Sequence, residues 1–205
     1  MTSIRNYLNK LFTKEDFITV VSGLPRSGTS MMMSALQAGG MPLVVDDIRQ
    51  ADPSNPKGYY EFERVKKLPK GDTAWLATSP GKAVKIISAL LEYLPKGYSY
   101  RVIFMQRDLN EVMASQQRMM IRNGKEPGQS SAEEELSQSY AEHLAEVTRW
   151  LDGREDIQTL IVSYNDVLSD PTEQFQRLAS FLDQKVDAAA MAKVVDPQLY
   201  REKSN

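Results

Sequence analysis

The chain has 205 residues, enough for one domain with a sizeable core, and its 41% hydrophobic and 25% charged content is that of a folded globular protein. A formal charge of -2 leaves no basic footprint for nucleic acid, the lack of cysteine excludes disulfides and thiolate zinc, and a single histidine, His143, leaves no metal-ligand spacing. No apolar run approaches a membrane span and the N-terminus opens no recognisable signal peptide, so the expectation is one cytoplasmic domain over residues 1–205, without metal, nucleic acid or transmembrane segment.

The first apolar run, Phe17 to Val21, reads as a strand. It leads into Gly23-Leu24-Pro25-Arg26-Ser27-Gly28-Thr29-Ser30, a glycine-bearing turn that opens a helix expected to run from about Gly28 to Ala38 and to stop at Gly39-Gly40. Such a turn presents backbone N–H groups to an anion. A nucleoside-triphosphate loop reads G-x-x-x-x-G-K-[ST]. Here Thr29 stands at the lysine position and a cation, Arg26, lies inside the loop. The missing lysine argues against ordinary ATP or GTP chemistry, where lysine and the next hydroxyl serve the γ-phosphate and magnesium.

Further apolar runs at Ala83 to Ile87, Tyr100 to Met105 and Ile157 to Val162 are each followed by a helical pattern. That alternation predicts an α/β fold of three layers, a mostly parallel central sheet with helices on both faces. Asp108-Leu109-Asn110-Glu111 reads as a capping box opening a helix to about Arg122, before Asn123-Gly124. A long amphipathic helix is expected over Ala132 to Leu151, and another from Pro171 to near Leu182. Asp46 to Gly58 and Leu68 to Gly81, rich in Pro, Gly and Asp, read as long loops able to line the crevice at the carboxyl ends of the strands. Arg107 leaves its strand at that edge, with Ser115 about two helical turns further on, so guanidinium and hydroxyl are candidates to hold one phosphate. The bland alternative pairs Arg107 with a surface carboxylate.

These segments resemble the sulfotransferases. Leu24-Pro25-Arg26-Ser27-Gly28-Thr29-Ser30 is similar to their 5′-phosphosulfate loop, Arg107-Asp108-Leu109-Asn110-Glu111-Val112-Met113-Ala114-Ser115 to their 3′-phosphate segment, and Val162-Ser163-Tyr164-Asn165-Asp166-Val167-Leu168-Ser169-Asp170-Pro171 to a third family segment. The resemblance implies a fold related to P-loop nucleoside-triphosphate hydrolases and the donor 3′-phosphoadenosine 5′-phosphosulfate (PAPS). It also implies transfer of the sulfuryl group to a hydroxyl or amine, on a small molecule or a side chain, with release of adenosine 3′,5′-bisphosphate. Donor contacts are then expected from Arg26, Ser27, Gly28, Thr29, Ser30, Arg107, Ser115 and Tyr164. Arg26 would hold the 5′-phosphate and stabilise the charge left as the S–O bond breaks. A monoanionic sulfuryl donor needs less neutralising charge than a triphosphate, so magnesium is dispensable.

Lys85 resembles the family's strand lysine near the leaving phosphate; the alternative is an exposed lysine on an edge strand. Cytosolic members carry a histidine base two residues on, where this chain has Ile87, so the base is open. Asp46 and Asp47 lie at the distance after the loop arginine where tyrosylprotein sulfotransferases carry their catalytic glutamate, a resemblance that makes Asp47 the first candidate; Glu61 is the second, with Tyr59 and Tyr60 able to wall an acceptor pocket. His143 is far in sequence from every motif and reads as structural or solvated. The methionines of the two ligand-flanking helices read mainly as core filler. The glycine-rich basic segment that closes over the donor in cytosolic members has no counterpart in the carboxyl-terminal residues, which opens the question of the adenine contacts. Two other functions fit parts of this pattern: a P-loop small-molecule kinase, and a PAPS-binding module without catalysis.

Overall fold

The computed structural model describes residues 17–46, 48, 58–122, 124 and 130–196. Among them, β1 (Ile18–Gly23), β2 (Ala83–Lys85), β3 (Tyr100–Gln106) and β4 (Ile157–Ser163) form one parallel sheet in the order β2-β1-β3-β4. Every residue of β1 is buried, as a central strand covered on both faces must be. Among the described residues the α-helices that accompany the sheet are α1 (Thr29–Ala38), α2 (Leu109–Arg122), α3 (Ser130–Asp152), α4 (Tyr164–Ser169), α5 (Pro171–Phe181) and α6 (Ala188–Ala192).

Alternate residues along the strands feed two cores. Val21, Ile103, Met105 and Val162 pack with Met32, Met33 and Leu36 of α1, Phe175 and Leu178 of α5, and Met191 of α6. On the other face Ile18, Val20, Val84, Val102 and Phe104 pack with Trp75, Leu76, Leu91, Val147 and Leu151. The three-layer expectation therefore holds. Each large apolar side chain removed completely from water contributes about 1.5–3 kcal/mol, and Phe175, at 0% exposure, is one whose loss would leave a cavity under the sheet.

Several sequence expectations change in detail. The segment Leu68 to Gly81 is not an open loop: 3-10 helices at Glu63–Lys70 and Ala74–Thr78 carry Val65, Leu68, Trp75 and Leu76 into the core. Their apolar spacing is hidden by Pro69, inside the first of these helices, and Gly71, which caps its end. β2 stops at Lys85, and a further 3-10 helix occupies Ser88–Tyr93. The short helices α4 and α6 carry their own caps, Ser163 Oγ accepting from Asp166 N and Asp187 Oδ1 from Ala189 N and Ala190 N. Pro171 opens α5 with Asp170 as its cap.

Because β2 and β3 lie on opposite sides of β1, the order in which strands are added switches sides at the β1/β3 boundary, and the crevice at their carboxyl ends is where an open α/β sheet takes its ligand. The amino edge of the sheet is closed by paired charge. Arg154 donates to both oxygens of Asp156, over the Trp150 ring, and Arg101 donates to Asp183 above Phe17. Hydrogen bonding from Arg154 holds the Asp156 carboxyl below its usual range, and burial pushes the Tyr100 phenol well above its own. No helix among the described residues is long and apolar enough to cross a membrane.

Candidate functional site

β1 ends at Gly23, whose φ of 146° and lack of a side chain let the loop turn. A Cβ there would lie 2.5 Å from Ser27 Oγ and 2.6 Å from the Met105 carbonyl oxygen. Gly28 is the second such position: its φ is 101°, and a Cβ would meet Tyr164 Cδ2 at 2.5 Å. Between them Arg26 is itself left-handed, at φ 73°, a conformation that costs a non-glycine residue roughly 1 kcal/mol or more. Gly28 gives α1 no side-chain cap, so the first amides of the helix face the crevice with the positive end of the helix dipole behind them.

The loop gathers cations. Arg26 Nε donates to Ser115 Oγ at 3.0 Å, and Arg107 Nη1 donates to the Arg26 carbonyl at 3.3 Å. Arg107 also lies over the Tyr164 ring, 4.6 Å from its centroid. From the other side Lys85 Nζ donates to Ser30 Oγ at 3.5 Å and to the Tyr59 carbonyl, with Glu61 Oε1 at 3.9 Å. Lys85 is not the exposed edge lysine, for its side chain is only 9% accessible. Seven of the anticipated residues, Arg26, Ser27, Gly28, Ser30, Lys85, Arg107 and Tyr164, thus meet around one turn. Thr29 opens α1 beside them, and Ser115 joins through Arg26 instead of standing on Arg107. Ser27 is 1% exposed, and its buried Oγ has no hydrogen-bond partner. An orphaned buried hydroxyl, uncapped amides and three cations fit a phosphate-bearing ligand better than a bare turn. Beside the loop a cleft of about 370 Å³ is lined by Ser27, Gln106, Arg107, Asp108, Ser163 and Asn165 over Leu24 and Met105.

The carboxylates divide. Asp47 lies outside the described residues. Asp46 is taken up in structure, its Oδ2 accepting from Glu63 N at 2.5 Å and its Oδ1 from Ile48 N at 3.2 Å. Glu61 is the carboxylate beside Lys85. Tyr59 is buried, so the aromatic pair does not present two open faces, and Tyr60 sits at φ 52°. His143 Nε2 pairs with Ser88 Oγ at 2.9 Å on the far layer, a structural contact between α3 and the segment after β2. Ile87 is 45% exposed.

The spacing of Asp108 and Glu111 is that of a capping box. Asp108 Oδ1 accepts from Asn110 N and Glu111 N, and the Glu111 carboxylate accepts from Arg107 Nε and Asn165 Nδ2. The signal for this was present in the four-residue spacing of Arg107 and Glu111. Tyr59, whose carbonyl receives Lys85, had no comparable signal.

With this geometry the sulfotransferase domain family matches residues 16–204. The chain belongs to the sulfotransferase family. Sulfotransferase 1B1 of Mus musculus is 25% identical over 114 residues, which is 51% of this sulfotransferase chain and 38% of that relative, so the match spans well under half the relative's length. Sulfotransferase STF9 from Mycobacterium avium has a similar structure, with a TM-score of 0.54 at 13% identity, covering 94% of this chain and 71% of that one. The sulfotransferase domain of the Synechococcus PCC 7002 olefin synthase gives 0.50 at 15% identity, covering 91% and 83%. At such identities the two structures establish the shared fold.

Proposed function

We propose that the chain transfers the sulfuryl group of PAPS to a hydroxyl or amine of a small molecule or side chain. The observation that carries this reading is the convergence of Arg26, Arg107 and Lys85 on residues 26–30, with Thr29 where a triphosphate loop has lysine. PAPS supplies an activated sulfuryl group on a 5′-phosphate that departs as adenosine 3′,5′-bisphosphate.

Each residue has a distinct task. The amides from Ser27 to Ser30 and the Ser27 hydroxyl cradle the 5′-phosphate. Arg26, aimed from the loop, and Lys85, from the end of β2, bring positive charge to the oxygen on which negative charge accumulates. Arg107, stacked on Tyr164, receives the 3′-phosphate, with Ser115 at the same helix. Glu61 is assigned as the base in preference to Asp47, because its carboxylate stands next to Lys85 and hence beside the reacting centre. In this role its carboxylate accepts the acceptor's proton as the new bond to sulfur forms.

The test is ligand-dependent stability. Adenosine 3′,5′-bisphosphate at about a hundred times its Kd should stabilise the fold by roughly 2.7 kcal/mol, read as a rise in melting temperature. ATP with magnesium should give no comparable rise. A larger shift with magnesium-ATP would point to the kinase reading and overturn this one.

A further inference from the structure

Glu111 is 2% exposed, and neither the phosphate cradle nor the proton transfer uses it. Its Oε2 accepts from Arg107 Nε at 2.8 Å and its Oε1 from Asn165 Nδ2 at 3.2 Å. A buried ion pair adds little stability that well-packed apolar groups would not supply, so its placement at a binding arginine calls for another account. The two side chains are 1% and 6% accessible. Water screens this pair weakly, and any anion held by Arg107 feels the carboxylate behind it.

We propose that Glu111 is a positioning and charge-setting residue for the 3′-phosphate pocket: it fixes the Arg107 fork and cancels most of its charge. The inference rests on the donor reading above. The guanidinium is held by Nε on Glu111, by Nη1 on the Arg26 carbonyl, and by its plane above Tyr164. The fork is therefore ordered before a ligand arrives, which lowers the entropy lost on binding. Asn165, at the start of α4, holds the second carboxylate oxygen and keeps Glu111 from turning to solvent. Without the carboxylate the same fork would present an uncompensated charge in a poorly hydrated pocket and would grip a phosphate dianion harder. Glu111 thus makes the pocket select by directed hydrogen bonds while still letting the bisphosphate product leave.

The experiment measures equilibrium Kd values of adenosine 3′,5′-bisphosphate and adenosine 5′-phosphate on the full chain, as wild type, Glu111→Gln and Asn165→Asp. The ratio of the two constants isolates the 3′-phosphate. Glutamine retains an oxygen for Arg107 Nε and removes the charge. The bisphosphate should bind Glu111→Gln about tenfold more tightly, with the monophosphate little changed, so the ratio rises about tenfold. Asn165→Asp adds acid beside the pair and should lower the ratio. A merely structural Glu111 would weaken both nucleotides together; an unchanged or lowered ratio in Glu111→Gln overturns the proposal. Should that variant not fold, an unchanged or raised ratio in Asn165→Asp does so. A wild type that does not prefer the bisphosphate sinks the donor reading, and this inference with it; a wild type that prefers it while Glu111→Gln does not gain sinks the inference alone.

Discussion

The two edges of the sheet use the same residue types to opposite ends. At the amino edge Arg154 and Arg101 are matched with Asp156 and Asp183 and lie on Trp150 and Phe17, so charge serves as mortar between strands and helices. At the carboxyl edge Arg26, Arg107 and Lys85 crowd a loop with a left-handed arginine, an uncapped helix and an unpartnered hydroxyl. The left-handed Arg26 and the unpartnered Ser27 hydroxyl stand where a bound anion would face them. The contrast teaches which arginines belong to stability and which to chemistry, a distinction that charge alone does not make.

The comparison breaks most visibly at Arg26. Arg26→Ala should lower turnover by about a hundredfold to a thousandfold, as loss of a preorganised donor to developing charge does, with a smaller effect on bisphosphate affinity. Single-turnover rates beside equilibrium binding check this, and equal losses in both would deny Arg26 its role in the transfer step. Gly28→Ala should cost roughly 2–3 kcal/mol, because the new Cβ combines a left-handed backbone with a collision against Tyr164. Thermal unfolding should show a drop of several degrees, and an unshifted midpoint would mean the loop is not held as described.

The amino edge should respond to pH in place of ligand. Asp156 has a depressed folded pKa, so its contribution is present at neutral pH, above the unfolded value near 3.9, and is lost as pH falls through the folded value. Asp156→Asn should therefore be less stable than wild type by about 1 kcal/mol at pH 7 and equal to it in strong acid, with unchanged turnover. Denaturant midpoints across pH measure the difference; a gap that persists in acid would contradict the assignment. An effect no larger than this is expected at His143→Ala, which removes one side-chain hydrogen bond between layers and should cost at most about 1 kcal/mol without touching turnover. A large loss of activity there would move the chemistry to the wrong face of the sheet.

The carboxyl edge was the more legible of the two in sequence. Gly23 to Ser30 combines turn glycines, hydroxyls and a cation immediately after an apolar strand, and each of these is a local signal of phosphate binding. The parallel sheet was legible for a similar reason, since β1, β3 and β4 are apolar runs separated by helical periods. What escaped was decided by contacts distant in sequence. Trp75 and Leu76 reach the core through a segment whose Pro69 and Gly71 look like loop punctuation. Glu111 looked like a helix cap because Asp108 precedes it by three residues, yet a partner that holds it, Asn165, arrives from the start of α4, far along the chain. Lys85 was ambiguous for the same reason, because an edge strand exposes or buries its side chains according to what folds over it, and here that is Tyr59 and Glu61.

Transfer of radiolabelled sulfur from PAPS to a mixture of alcohols, phenols, amines and peptides, by wild type and by Arg26→Ala, tests the central claim most directly. The wild type should pass label to at least one acceptor and release adenosine 3′,5′-bisphosphate in equal amount, with the variant slower by two orders of magnitude or more. Bisphosphate release without acceptor labelling, or equal rates for both proteins, would contradict the assignment of the loop as a sulfuryl-transfer site.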